Sequence, residues 1–443
     1  MNQLYMKEKK ILPLVLSMSL PMVLSMAVNS LYNIVDSYFI AKLSEKAITA
    51  LALVYPMQNM VNAVAVGFAI GINACAAFYL GAKEYKLADK AATQGMLLSF
   101  IHGIAMTALC IICAPYFLSA FSSDRETVEL ALVYSNRAFL FCPIITIGIS
   151  FEKIFQAVGK MKISMLSMLC GFIVNIILDP LMIFGLGPFP ELGISGAAYA
   201  TGIGQSVTLA VYLIFYAVCR IPLKIKTDYI RLNKTVIKKM YSVGISAALN
   251  LALPSLLISV LNAVLSAFGA VYVLVLGVYY KLQTFIYLTA NGIVQGIRPL
   301  MGYNYGAKEY GRVKRIFTVS LILIALVMVT GVVLSWIIPS ELIGLFTSNT
   351  DTIKIGAEAL NIISIGFVAS AVSVTCCGAL EGLGKGLPSL CISLLRYIII
   401  IIPLAFLFSR FMQAKGVWWA FCVTEFITAV ISFVIYKKSL KIN

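Results

Sequence analysis

Charge is the resource this sequence has least of. Only 12% of its 443 residues are Asp, Glu, Lys or Arg, about half of the roughly 25% typical of a soluble globular chain. Acids are the scarcer sign, at 18 against 34 bases. A single histidine, His102, leaves no partner set for a His-based metal centre, and we read it as structural rather than as a proton relay. No glycine-rich loop of the P-loop pattern is present to hold a nucleoside triphosphate. Without a nucleophile and base pair or a Cys/His cluster, the chain is read as not being an enzyme. The ten cysteines lie in or beside apolar segments, so structural disulfides are not expected. Cys110-Ile-Ile-Cys113 has redox spacing but sits in an apolar run and is read as packing.

What fills the chain instead is hydrocarbon: 61% hydrophobic residues and a mean hydropathy of +0.96. Twelve apolar runs, each long enough for a bilayer core of roughly 30 Å, fall near 12–40, 50–80, 92–119, 128–156, 163–186, 195–219, 238–268, 271–300, 315–338, 355–381, 387–409 and 416–436. The first is too long for a signal-peptide core and is expected to be retained. The expected fold is an all-α polytopic membrane protein of twelve transmembrane helices.

The net charge of +16 would suit nucleic acid if it were clustered on one face, but it follows the loops. With the N-terminus inside, 23 of the 34 Lys and Arg lie in inside segments (the last being Lys437, Lys438 and Lys441) and six outside (Lys42, Lys46, Arg125, Lys354, Arg410, Lys415). The positive-inside rule then puts both termini in the cytoplasm. The remaining five, Arg137, Lys153, Lys281, Arg298 and Arg396, fall in or at the margins of helices. Arg137, Glu152 and Lys153 either compensate one another's charge across helices or lie at the cytoplasmic interface and snorkel, the second being the expectation for Lys153. The partner implied is a lipid bilayer, not nucleic acid.

Gly81-Ala-Lys-Glu-Tyr85 returns as Gly306-Ala-Lys-Glu-Tyr310, an offset of 225 that also pairs Gly67 with Gly292, Gly71 with Gly296 and Gly159-Lys160 with Gly384-Lys385. Past the fifth helix the offset becomes 220, pairing Gly196 with Gly416. One register held over that distance indicates two homologous six-helix lobes, 1–219 and 238–443, joined by a basic cytoplasmic linker at 220–237. Six helices per half keep both copies in one orientation, as in parallel transporter repeats that open a central cavity to one side at a time.

Within the apolar runs a few polar residues stand out. Ser25, Asn29, Asn33 and Asp36 share one face of the first helix, and an ionisable group there is a functional candidate by default. Asn175 and Asp179 lie one turn apart on the fifth, before Pro180, where the helix is expected to kink or end. Gly196-Ala-Ala-Tyr-Ala-Thr201 opens the sixth with small residues suited to close packing. On the eighth, Thr284 to Arg298 place polar groups near one face, which either line a polar path or meet the other lobe.

Taken together, Leu31-Tyr-Asn-Ile-Val-Asp36 after Pro21, the Gly196 to Thr201 run, and Arg298-Pro-Leu-Met-Gly-Tyr-Asn-Tyr-Gly-Ala-Lys308 resemble the multidrug and toxic compound extrusion (MATE) family, most closely its MepA-like bacterial branch. The resemblance covers nearly the full length. It implies a cation-coupled antiporter, driven by H⁺ or Na⁺, in the bacterial cytoplasmic membrane, that exports amphipathic organic cations by alternating access. It implies no cofactor beyond the coupling ion. By the same resemblance Asp36, Asn175, Asp179 and Thr201 are the cation-coupling residues and the place for Na⁺. Candidates for the substrate cavity are Asn29, Tyr32, Asn33, Gln58, Asn62, Tyr287, Asn291 and Arg298. Glu381 on the tenth helix is only a loose match to the carboxy-terminal acids of other branches, and the chain is expected to act as a monomer. The alternative is a flippase for a lipid-linked oligosaccharide, which predicts a cationic cavity to which Arg137, Lys281, Arg298 and Arg396 would contribute.

Overall fold

The computed structural model describes residues 5–440; Lys441, one of the inside cations, lies outside them. Eleven of its helices are long and apolar enough to cross a membrane. They are α1 (Ile11–Leu43), α2 (Glu45–Gly81), α3 (Tyr85–Phe121), α4 (Arg125–Ala157), α5 (Met161–Phe184), α6 (Ile194–Val218), α7 (Lys234–Ser266), α8 (Ala270–Gly306), α9 (Tyr310–Ile337), α11 (Gly386–Met412) and α12 (Ala414–Leu440). A pair bent by 55°, Thr350–Ser364 and Phe367–Gly382, completes the expected twelve as α10. No strand occurs among the described residues. Helices are what an apolar slab demands, because each must satisfy its own backbone polar groups where no water is present.

Several helices outrun their apolar cores. The 37 residues of α2 extend for roughly 55 Å at 1.5 Å per residue, well beyond the hydrocarbon thickness. At its start Ser44 caps α2 by accepting a hydrogen bond from the Ala47 N–H at 3.0 Å. The α5 helix neither ends nor breaks at Pro180; it continues to Phe184 and stops at Gly185, whose φ of +68° makes the left-handed C-terminal turn.

The internal repeat is visible in the backbone. Lys83 and Lys308, 225 positions apart, both take a left-handed φ, +61° and +59°, unusual for residues bearing a Cβ. In each case the following glutamate N–H reaches back five residues at 2.9 Å, Glu84 to the Tyr79 carbonyl and Glu309 to that of Asn304. Gly159 and Gly384 repeat the motif with φ of +78° and +75°. At the shorter offset of 220, Gly193 and Gln413 share φ of +55° and +53°. Turn geometry therefore persists even where glycine has been replaced.

Two compact units form, and they are not bounded by the linker. Among the described residues, one contains 24–248 and the other 5–23 together with 249–440. The division passes through α1 and α7, so the start of each helix packs in a different unit from its end. Small residues enable this packing. A Cβ on Gly67 would lie 2.5 Å from the Ala248 nitrogen, and one on Gly292 would lie 2.7 Å from the Val23 Cα; both members of these pairs are again related by 225 positions.

The basic segment expected to act as a linker is docked along α3. Asp89 accepts from the Lys224 N–H (2.8 Å) and Thr93 from the Lys226 N–H (3.1 Å). The Gln94 amide donates to the Tyr229 and Arg231 carbonyls (3.0 and 2.7 Å) and accepts from the Asn233 N–H (3.1 Å). Lys153 also differs from expectation. It does not snorkel but is buried, with its ammonium 2.6 Å from the Glu152 carboxylate, which accepts a further hydrogen bond from Gln156 at 2.6 Å. A charge this far from solvent needs a partner alongside it.

Candidate functional site: a buried acid pair

The site is built where α5 and α6 come into backbone contact. A Cβ on Gly171 would lie 2.5 Å from the Gly204 carbonyl oxygen, and one on Gly204 would lie 3.0 Å from the Asn175 Cβ. Only glycine at both positions lets the helices approach closely enough for Asn175 to reach Thr201. The Asn175 amide is best satisfied with its NH₂ donating to Asp179 Oδ2 at 3.2 Å and its oxygen accepting from the Thr201 backbone N–H at 3.1 Å. One lone pair on that oxygen remains free.

From α1, Asp36 enters the same cluster, its carboxyl close to that of Asp179. Asp36 is 8% exposed and Asp179 is fully buried. The Asp36 Oδ1 atom is buried without a hydrogen-bond partner, an unusual state for a native polar atom. Tyr32, one turn earlier on α1, stacks on Phe172 with ring centroids 5.2 Å apart and planes 8° from parallel, and its hydroxyl is hydrogen-bonded to Thr201. Tyr32 therefore belongs to the acid cluster. Asp36, Asn175, Asp179 and Thr201 lie together.

Two members of the cluster carry no sequence signal. Tyr134 on α4 is 2% exposed and electrostatically adjacent to both acids, and its hydroxyl accepts a hydrogen bond from the Gln58 amide at 3.0 Å. Nothing in Arg125–Ala138, an ordinary amphipathic stretch, distinguishes Tyr134 from neighbouring residues. Phe172 is one apolar residue among many on α5. Gln58, proposed for the substrate cavity, thus supports Tyr134. Asn29 is half-buried, while Asn33 and Asn62 are exposed. Asn33 donates to the Asn29 backbone carbonyl at 2.7 Å, so this part of the polar stripe turns back on its own helix.

In the second unit Glu381 and Glu425 are each paired with an arginine. Arg298 forms an ion pair with Glu381 at 2.7 Å, and Glu381 accepts a further hydrogen bond from the Asn250 amide at 2.8 Å. Arg396, on a six-residue π-helical turn Leu395–Ile400 within α11, pairs with Glu425 at 2.6 Å and donates to the Tyr287 hydroxyl at 3.2 Å. Tyr287 in turn donates to Ser370 at 2.6 Å. The cavity candidates Tyr287 and Arg298 are thus bound into side-chain networks, and Asn291 is exposed without such a network. By contrast, neither Asp36 nor Asp179 has an ion-pair partner among the described residues. His102 is half-buried, bonded to the Tyr241 hydroxyl at 2.9 Å and packed edge-on against Phe68.

Twelve spans, an internal repeat and a buried acid pair with no ion-pair partner among the described residues define a polytopic membrane protein. The MatE family model matches residues 21–181 and 246–407, and the chain belongs to that family. It is 26% identical over 436 residues to the multidrug export protein MepA of Staphylococcus aureus strain MSSA476, covering 98% of this chain and 95% of that protein. The MepA of Staphylococcus haemolyticus strain JCSC1435 is 24% identical over 435 residues, with the same coverage. Among solved structures, a MOP superfamily transporter from Pyrococcus furiosus superposes with a TM-score of 0.93 at 21% identity, over 99% of this chain and 98% of that one. An outward-facing multidrug resistance MATE transporter gives a TM-score of 0.93 at 22% identity, over 100% and 99%.

Proposed function

We propose that the chain is a multidrug exporter of the bacterial cytoplasmic membrane, with both termini cytoplasmic, in which Asp36 and Asp179 couple H⁺ or Na⁺ entry to the export of amphipathic organic cations. The observation that supports this reading most strongly is the contrast in neutralisation. Buried carboxylates at Glu152, Glu381 and Glu425 each have a Lys or Arg beside them, whereas the Asp36 and Asp179 carboxyls have each other. Two carboxyls this close in an apolar site resist being ionised together, so the pair holds a proton or admits a cation in its place. Their oxygens, with those of Asn175 and Thr201, offer the hard donors that Na⁺ prefers.

Loading and unloading this site changes the charge on α1 relative to α5. The resulting bias between inward-open and outward-open states is no larger than the cation's difference in affinity for them. The flippase reading needs free cations in the apolar interior, yet two of its four, Arg298 and Arg396, are engaged by Glu381 and Glu425, while Arg137 donates to the Val133 carbonyl and Lys281 lies over the Phe346 ring. The deciding experiment follows efflux of ethidium from proteoliposomes under an imposed pH gradient and, separately, a Na⁺ gradient. Efflux driven by one gradient and lost in Asp36→Asn is the expected result. Indifference to both gradients, or normal coupling in Asp36→Asn, would overturn the proposal.

A further inference from the structure

A cavity of about 560 Å³ opens between the short helix Tyr5–Glu8, the start of α1 and the first turns of α9; its lining includes Lys9, Lys10, Arg312 and Arg315, with Glu8 the single acid. It lies wholly within the second unit. Arg312 is built into the wall: its Nη2 donates to the Met6 and Lys9 carbonyls at 3.2 and 2.8 Å, which fixes the turn carrying Lys9 and Lys10. Its Nε is buried and has no hydrogen-bond partner among the described residues. The nearby acid Glu309 is already committed to Lys7 at 2.8 Å. Lys9, Lys10 and Arg315 have no ion-pair partner among the described residues, so the cavity carries an uncompensated positive charge and an unused buried donor.

The floor of the cavity is different in kind. Thr318 and Val319 line it, and one helical turn further along α9 the same face continues as Ile322, Leu326 and Val329, which are 54%, 58% and 43% exposed. A cationic cup at the end of an exposed apolar stripe has the chemistry of an amphiphile's counterpart. We propose that this cavity binds the phosphate of an anionic phospholipid headgroup, with its acyl chains lying along Ile322, Leu326 and Val329. Basic pockets between helices at the membrane surface recognise anionic headgroups by charge and by multiple N–H donors. Free phosphate shares the headgroup chemistry but has nothing to place on the apolar stripe.

The test uses the full-length protein in non-ionic detergent, with thermal unfolding followed as dioleoylphosphatidylglycerol, dioleoylphosphatidylcholine or inorganic phosphate is added. Phosphatidylglycerol is expected to raise the unfolding temperature saturably, with a much smaller effect from the other two. Lys9→Gln/Lys10→Gln/Arg315→Gln is expected to weaken half-saturation by roughly tenfold or more, since each basic residue near an anionic headgroup contributes appreciably. Lys437→Gln/Lys438→Gln, which removes charge elsewhere, is expected to leave it unchanged. Should the triple variant fail to fold, Arg315→Gln alone is expected to weaken binding by about threefold, while the charge-preserving Lys9→Arg/Lys10→Arg retains it. An equal response to phosphatidylcholine, or a full response in the neutralised variants, would overturn the site. A response to inorganic phosphate matching that to phosphatidylglycerol would overturn the lipid assignment.

Discussion

The Asp36 carboxyl on α1 and the Asp179 carboxyl on α5 lie close together in one compact unit, and neither has a basic ion-pair partner among the described residues. Two groups sharing one proton act as a unit, so their removals are not additive. Asp36→Asn and Asp179→Asn are each expected to lower gradient-driven efflux by about tenfold or more, equivalent to roughly 1.4 kcal/mol of lost coupling. The double variant should be little worse than either single one. Initial efflux rates in proteoliposomes compare the three, and losses that multiply would show that the acids act independently.

Tyr32 offers a way to separate contact from chemistry. Tyr32→Phe keeps the stack on Phe172 and removes only the hydroxyl bonded to Thr201. It is expected to slow efflux a few-fold with no change in unfolding temperature. Tyr32→Ala, which also removes the stack, is expected to lower both.

Gly171 has no room for a methyl group against the Gly204 carbonyl, and a backbone oxygen cannot rotate away. Gly171→Ala is expected to destabilise the protein by about 1–3 kcal/mol. A Thr208→Ala background, which clears the side chain crowding the same point, should not restore stability. Thermal unfolding of the single and double variants checks both statements; full rescue would mean that the hydroxyl, not the backbone, sets the limit.

Breaking the Arg298–Glu381 pair from one side strands a buried charge. Arg298→Met is expected to cost about 3 kcal/mol, with most of it recovered in Arg298→Met/Glu381→Met. If ion coupling survives in that double variant, Glu381 is a structural partner. Loss of coupling in a well-folded double variant would instead assign Glu381 a role in the transport cycle.

Lys83 and Lys308 hold left-handed turns that glycine would adopt without strain. Each Lys→Gly change is expected to raise stability by about 0.5–1 kcal/mol, because an L side chain in this region costs roughly that much more. Equal gains at the two sites, read by thermal unfolding, would show that both repeats store the same local strain.

Legibility from sequence followed the range of the interaction. Asp36, Asn175 and Asp179 stood out because polar atoms in hydrocarbon require an explanation wherever they occur. Tyr134 did not, since a tyrosine in an amphipathic helix is unremarkable until the fold places it beside two acids. The fate of Lys153 was also hidden. Whether a long basic side chain reaches solvent or pairs with Glu152 depends on which helices pack over it, and here α2 does so, with the Asn73 amide donating to the Lys153 carbonyl at 2.9 Å.

The sequence by itself determined that this chain crosses a membrane twelve times and that its halves are copies. Hydrocarbon length and backbone satisfaction fix the first, and a register of identities at a constant offset records the second. Tertiary structure decided which buried charges are neutralised and which are not. Arg298 meets Glu381 across 83 positions and Arg396 meets Glu425 from a different helix, whereas Asp36 and Asp179 meet only each other. Charge pairing acts over a few ångströms between segments far apart in the chain, so its outcome is settled only when the helices pack.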